Sequence, residues 1–461
     1  MPTSPNPAAI LPRVIEAARE AGHLVAAEFA RPDGPRFSDH VTAPLDTEIE
    51  MLLRDRLLAL VPARFVGEEA GVLDAPANGY CWVVDPHDGT RAFLEGRRGS
   101  AVSIALLRHG IPILAVVYAP TSPDRGPDLI AWAEGGQITR NGRTVTIDLH
   151  DRVLSPGDVV FLNHGAWQRP VWHGTACAPA GFMPLPSIAY RLARIAVGDG
   201  LATLTLRPVN ALDIAAGHAL LMAAGGVLLT EDGEPVTYND LGESRPSACF
   251  GGSPSAVSAL RARTWRGSTE PRREPRVILT WPRNVPETML DRACGCLLGL
   301  AIGGDLGPET ELALLLARGL VGRSQYNRPT IETTASPLAR AIPIGIWARD
   351  PETAAAIARL DSPGAPDNPT LAAAVSAGVQ GASPDEIRRL AGAPSWPAAI
   401  SGALTGVAHG RTVFPVPQVM RVLTWRPDEG LGVAHPKPEI CWTDDLVDLA
   451  EALLCQGQRA F

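Results

Sequence analysis

Two carboxylates three residues apart, Asp85 and Asp88, give the chain its first chemical signal. They lie in the stretch Trp82–Phe93, reading WVVDPHDGTRAF. Trp82-Val83-Val84 reads as a buried strand. Pro86 is expected to stop it, and Gly89 to let the backbone turn tightly. Two acids at a strand end, across such a turn, can converge on one point. Hard divalent cations such as magnesium take carboxylate, carbonyl and water oxygens. Further acids stand upstream in Gly67-Glu68-Glu69 and downstream at Asp213, within ALDIAAG. Taken alone, each of these is a solvated turn acid. Asp46, just before a helical stretch, reads as an N-cap, and Thr90 as a cap of the helix that follows it.

The elements that must position these residues are legible in part. Residues 8–30 place Ile10, Val14, Ala17, Ala18, Leu24, Val25 and Phe29 at helical spacing. Thr47–Leu60 is a second helix, with Ile49, Leu52, Leu53, Leu57 and Leu60 inward. Strands are expected at Phe65–Glu68, Ala101–Leu107, Ile111–Pro120 and Val159–Leu162, with a hairpin ending at the Asn141-Gly142 turn signal. Ser187–Val197, Ala202–Leu206 and Asp213–Ala224 alternate helix, strand and helix, and Gly225–Gly233 reads as a hairpin or strand pair. This alternation predicts layered helices and sheets. His164, His173 and Cys177 match no zinc spacing and are expected to be surface or satisfied polar residues. The run RTWRGSTEPRREPR, from Arg263 to Arg276, is charged and proline-bearing and reads as a linker. From Pro286 the chain turns to Ala/Leu-rich helices.

In this order, GEE, DPHDGT and LDIAAG resemble the lithium-sensitive, magnesium-dependent phosphatase superfamily of inositol monophosphatases, 3′(2′),5′-bisphosphate nucleotidases and histidinol phosphatases. The resemblance covers roughly residues 8–265, and Leu212 stands where that family has Trp. It implies Glu68, Asp85, Asp88 and Asp213 as magnesium ligands, with the His87 backbone carbonyl, and Glu69 as an outer acid. Such a cluster cannot stay ionised together without cations. It also implies that Asp46, after a VTxxD-like Val41-Thr42-Ala43 with one extra residue, joins Thr90 in orienting the attacking water. The N-cap reading of Asp46 stays open beside this one. The Gly89 and Thr90 amides would hold the phosphate.

Substrate signals diverge. Arg91 follows Thr90, as in histidinol phosphatases, whereas Val116–Pro120, reading VVYAP, resembles the nucleotidase branch. Leu206–Asn210 has no acid where the family reads a sugar hydroxyl, and Arg207 can meet a second phosphate or form a surface salt bridge.

In the C-terminal part, Asp291-Arg292-Ala293, LLGLAIGGDLG (297–307), Glu309–Leu314 and ISGALTG (400–406) resemble the all-helical ADP-ribosylglycohydrolases. The Asp-rich motifs that hold two magnesium ions in that family are replaced by Gly307-Pro308-Glu309-Thr310 and by Gly392–Pro397. The resemblance therefore implies a degenerate module that braces, dimerises or shapes substrate access. Asp305, Glu309 and Asp367 are the acids left there, the module is expected to lack a metal site of its own, and Asp444-Asp445 reads as a solvated pair.

The expected architecture is an α/β layered (αβαβα) sugar-phosphatase-like domain over 1–265, a linker over 266–284 and an all-α domain over 285–461. A length of 461 residues suits two or three domains, and 46% apolar with 20% charged residues suits packed cores. A net charge of −8 offers no broad basic surface for a nucleic-acid polymer. Seven scattered cysteines suit reduced thiols in a cytoplasm, and Cys294 and Cys296 read as helix residues. The opening MPTSPNPAAI is not signal-like, and no run reaches membrane-spanning length. A small-molecule phosphate ester is the expected partner, and a homodimer is admitted. Three functional readings follow: a magnesium phosphatase acting on a nucleotide or nucleoside phosphate, the same chemistry on inositol or histidinol phosphate, and a non-catalytic binding or scaffold protein.

Overall fold

The computed structural model describes residues 5–37, 43–69, 71–73, 78–279, 281, 283, 285–321, 335–348, 350–392, 395–424 and 439–459. Val41 and Thr42 lie outside them. The chain divides into two compact units, the first running to Arg273 and the second beginning at Glu274.

The first unit opens with α1 (Pro7–Phe29), started by Asn6, whose side chain accepts the Ala8 N–H at 3.1 Å. Its stripe of Val14, Ala17, Ala18, Ala21, Val25 and Phe29 is buried, as the helical spacing predicts. The second helix, α2 (Pro44–Leu60), begins earlier than expected, because Pro44 suits a first helical position. Ala43 is the N-cap, so Asp46 is not. Asp46 is buried within the first turn.

Strands β1 (Arg64–Gly67), β2 (Val72–Leu73), β3 (Tyr80–Asp88), β4 (Ala101–Arg108), β5 (Ile111–Ser122), β6 (Gly126–Ala133), β7 (Thr139–Arg140) and β8 (Arg143–Thr144) form one sheet, with α3 (Thr90–Leu94) after β3. The order is β2-β1-β3-β4-β5-β6-β7-β8, with β1 and β3 parallel and the other pairs antiparallel. Pro86 does not stop its strand; β3 continues to Asp88.

Then come β9 (Val159–Leu162), α4 (Pro170–Cys177), β10 (Gly181–Pro184), α5 (Ile188–Ala196), β11 (Ala202–Thr205), α6 (Ala211–Ala223), β12 (Val227–Thr230), β13 (Cys249–Gly252) and α7 (Pro254–Arg261). Their strands form a second sheet in the order β10-β9-β11-β13-β12. After Asp232-Gly233 the chain folds back on β12 in a short antiparallel turn, with a bridge between Leu229 and Pro235 and the Val236 N–H donating to the Leu228 carbonyl at 3.0 Å, while the full strand partner of β12 is β13. Helices α1 and α2 cover one face of the first sheet, α5 and α6 lie between the sheets, and α4 and α7 pack on the second. The layers therefore run α, β, α, β, α. Val116–Pro120 lies in the buried middle of β5, where the Tyr118 ring packs on Gly22 of α1.

The second unit is helical among the described residues: α8 (Glu287–Gly303), α9 (Pro308–Val321), α10 (Ala341–Trp347), α11 (Pro351–Asp361), α12 (Asn368–Val379), α13 (Pro384–Ala391), α14 (Ala398–His409), α15 (Val416–Leu423) and α16 (Leu446–Arg459). Gly295 and Gly299 of α8 face Gly406 and Gly402 of α14. A Cβ on Gly299 would lie 2.0 Å from the Gly402 carbonyl oxygen, so the two backbones touch. Asp444 and Asp445 are not a solvated pair: their side chains are only 12% and 13% exposed and ion-paired with Arg276, and Asp445 also with Arg318 at 2.7 Å. The charged stretch between the units is pinned by its own side chains. Glu270 accepts the Trp172 N–H at 2.7 Å at the start of α4, within the first unit, whereas Arg276 is held within the second. Cys294 and Cys296 sit buried on α8, and none of the seven cysteines forms a disulfide. No helix among the described residues is long and apolar enough to cross a membrane.

Candidate active site

The centre of the site is a register fault. Asp85 of β3 lies opposite Ser103 of β4, and Asp88 opposite Ala101. Three steps on one strand answer two on the other, which is a β-bulge. In a regular strand, residues three apart face opposite sides. The extra residue restores the parity and turns both carboxylates the same way. Pro86 falls inside the bulge, where its missing N–H costs no ladder bond. Beyond Asp88, Gly89 turns with φ +98°, and a Cβ there would press on Pro186 at 3.3 Å, so glycine suits the position.

Helices from the middle layer complete the cluster. Asp213 enters on the first turn of α6, and one of its oxygens accepts the Asn210 N–H at 2.6 Å. Asp88 accepts from Ser187 Oγ at 2.6 Å and from the Ala189 N–H at 2.8 Å, at the start of α5. Asp85 accepts the His87 N–H at 2.8 Å. Oxygens of Asp85, Asp88 and Asp213 lie within 4.8 Å of one another, and no other such group of three acids, histidines or cysteines occurs among the described residues. Glu68, on the loop after β1, is exposed at the rim, where its carboxyl meets Asp85.

Crowding shows in the electrostatics. Burial, then Asp88, Glu68 and Asp213, push Asp85 well above the ordinary carboxylate range. Burial and Asp213 push Asp88 up to about 7. Desolvation, then Asp213, Glu69 and Asp46, push Glu68 up to about 7, and burial raises Asp213. One cation is built in nearby. Arg191 of α5 is buried, bonds Thr203 Oγ1 at 3.0 Å and the Leu204 carbonyl at 2.9 Å, and draws Asp88 and Asp213 down in part. Closely set, mutually repelling oxygen donors fit a hard divalent cation.

Beside the cluster, α2 delivers two carboxylates one turn apart. Asp46 Oδ2 lies 3.1 Å from Thr90 Oγ1, and Oδ1 lies 2.8 Å from His87 Nδ1. Glu50 accepts the Glu69 N–H at 2.7 Å and so holds the loop that carries Glu68. The Thr90 hydroxyl also lies 2.7 Å from the His87 carbonyl oxygen, the atom expected to ligate metal. The His87 ring is buried between Asp46 and Ser100, with Ser100 Oγ 2.9 Å from Nε2.

The structure thus brings Glu68, Asp85, Asp88 and Asp213 to one place, with Asp46, Thr90 and Gly89 at its edge. Arg91 is 75% exposed and pairs loosely with Glu95 at 3.5 Å, and Arg207 is exposed between β11 and α6. Neither is among the groups that touch the cluster. Sequence reasoning missed Ser187, Arg191, Glu50 and the His87 side chain. A signal for Arg191 was available: an arginine inside the apolar helix YRLARIA has to find buried partners.

The sequence profile of the inositol monophosphatase family matches residues 8–248. The inositol-1-monophosphatase of Rhizobium meliloti (strain 1021) is 31% identical over 232 residues, covering 47% of this chain and 84% of that protein. That of Caulobacter vibrioides is 30% identical over 234 residues, covering 48% and 88%. The Nus factor SuhB of Escherichia coli (strain K12) is 31% identical over 232 residues, covering 46% and 82%.

Proposed function

This chain belongs to the inositol monophosphatase family, whose enzymes are magnesium-dependent phosphomonoesterases, and on that premise we propose that its first unit hydrolyses a small phosphate monoester, an inositol phosphate before a nucleotide. The observation that carries the reading is the convergence of Asp85, Asp88 and Asp213 within 4.8 Å, made by the bulge in β3. Two curated relatives are inositol-1-monophosphatases, which favours that substrate. The nucleotide reading drew on Val116–Pro120 and on Arg207. The first is buried in β5, and the second is exposed.

Glu68, Asp85, Asp88 and Asp213, with the His87 carbonyl, would hold the metal. Bound magnesium supplies charge neutralisation at the ester oxygens and a more acidic water. The chain's own groups do the rest. Asp46 accepts the Thr90 hydroxyl proton, which leaves a Thr90 lone pair to accept from the attacking water and aim it. The Gly89 and Thr90 amides fix the phosphate at the turn. Arg191 offsets part of the cluster's charge when no substrate is present. For the second unit, a bracing or access-shaping role is the reading, with an ADP-ribosylglycohydrolase-like ancestry. Asp305 there is exposed and paired with Arg421 at 2.5 Å.

Phosphate release from inositol 1-phosphate, adenosine monophosphates, 3′-phosphoadenosine 5′-phosphate and histidinol phosphate, with and without magnesium, tests this. Inositol 1-phosphate turnover that vanishes in EDTA and falls more than ~100-fold in Asp88→Asn is the expected result, since loss of an outer-shell partner alone costs up to about that much. Silence of the folded protein across the panel would favour the non-catalytic reading.

A further inference from the structure

The His87 side chain is unused by the chemistry above, yet it is fully buried and bonded at both nitrogens. Nδ1 lies 2.8 Å from Asp46 Oδ1, and Nε2 lies 2.9 Å from Ser100 Oγ. Its ring meets Phe93 edge-on, with centroids 4.3 Å apart. Asp46 turns its other oxygen to Thr90 at 3.1 Å. A chain of four side chains, Ser100, His87, Asp46 and Thr90, therefore links the start of β4, the bulge, α2 and the start of α3.

We infer that His87 is a positioning residue that locks the Asp46 carboxylate so that Thr90 presents a fixed lone pair to the attacking water. A carboxylate held through one oxygen can swing about its terminal torsion, which is a broad well. Held through both oxygens, by partners on different elements, its plane is fixed. Ser100 completes the device. A carboxylate only accepts, so Asp46 holds the ring proton on Nδ1, and Nε2 is left to accept from the Ser100 hydroxyl. The Asp46 bond selects the tautomer, as second-layer partners do for histidines at metal sites.

The inference rests on the phosphatase reading, and two measurements separate them. His87→Leu removes both bonds at similar bulk, whereas His87→Asn keeps an N–H donor near the Nδ1 position. The expected result is a fall in kcat of roughly 10- to 100-fold in His87→Leu with KM unchanged, and recovery of most of it in His87→Asn. Magnesium affinity by calorimetry should stay within about twofold in His87→Asn. Ring 15N spectra of the unaltered protein should show the His87 proton on Nδ1, and this readout depends on neither turnover nor the folding of a variant. Equal losses in both variants, or a proton on Nε2 facing Ser100 with Nδ1 bare toward Asp46, would overturn the inference while active wild-type enzyme keeps the phosphatase reading. Wild-type protein that releases no phosphate from any substrate sinks both.

Discussion

Asp213 does two jobs. Its carboxylate accepts the Asn210 N–H as a helix cap and also brings an oxygen within 4.8 Å of oxygens of Asp85 and Asp88. A helix-capping acid and a member of the acidic cluster are thus one residue, so residue type alone could not separate the turn-acid reading from the ligand reading. The raised acids give a pH prediction. Asp88 and Glu68 rise from ordinary values of 3.8 and 4.5 to about 7 in the folded, metal-free chain. Between those values the folded state binds more protons than the unfolded one, so stability is greatest at the acid end and falls as pH rises toward 7. Thermal melts in EDTA should show this decline from about pH 5 to 7.5, and magnesium should abolish it. A flat profile in EDTA would mean the acids are not crowded. At the same scale, Glu50→Gln should weaken magnesium binding by about 10-fold or more through the Glu68 loop, measured by calorimetry, while Asp46 and Thr90 stay in place.

Elements decide which residues meet. A bulge of one residue in β3 turns an i, i+3 pair into neighbours. The first turns of α2 carry Asp46 to the end of β3 and Glu50 to the loop after β1. In α8 and α14 the glycines that resemble a family motif have a mechanical role, since the helices touch backbone to backbone at Gly295, Gly299, Gly402 and Gly406. Gly299→Leu should destabilise the second unit by about 1–3 kcal/mol or more, read from chemical denaturation, because backbone cannot move aside for a side chain. A second element-scale device is ionic. Arg194 of α5 is fully buried between Asp124 at 2.8 Å and Asp199 at 2.6 Å, and Arg140 joins Asp199 to Asp128. Arg194→Met should cost about 3–5 kcal/mol in denaturant melts, because it leaves two buried carboxylates short of a partner. A loss under 1 kcal/mol would show the network to be dispensable.

Across the whole molecule, every residue assigned to the reaction lies before Arg273, in a unit with its own layers and core. A chain ending at Arg273 should fold and keep kcat/KM within about tenfold, or about 1.4 kcal/mol, of the full protein. A larger loss would assign the second unit a part in catalysis. The sequence by itself determined the chemistry and most of the elements: hard-oxygen donors in a fixed order, the helices near 8–30 and 47–60, the strands around Trp82 and Ala101, and the helical texture after Pro286. These are local properties, set by side-chain type and by periodicity over a few turns. It misplaced the start of α2, where Asp46 reads as an N-cap although Pro44 opens the helix, and the end of β3, where Pro86 reads as a stop although a bulge accepts it. Only the tertiary structure decided the rest. It showed that Asp46 reaches His87 and Thr90 instead of capping its own helix, that Val116–Pro120 is core, that Asp444 and Asp445 are paired inside, and that Arg191 stands near the acids. Each of these depends on which segments, tens to hundreds of residues apart, are stacked against each other. Sheet register and layer packing fix that choice, and neither is written in any short stretch of the chain.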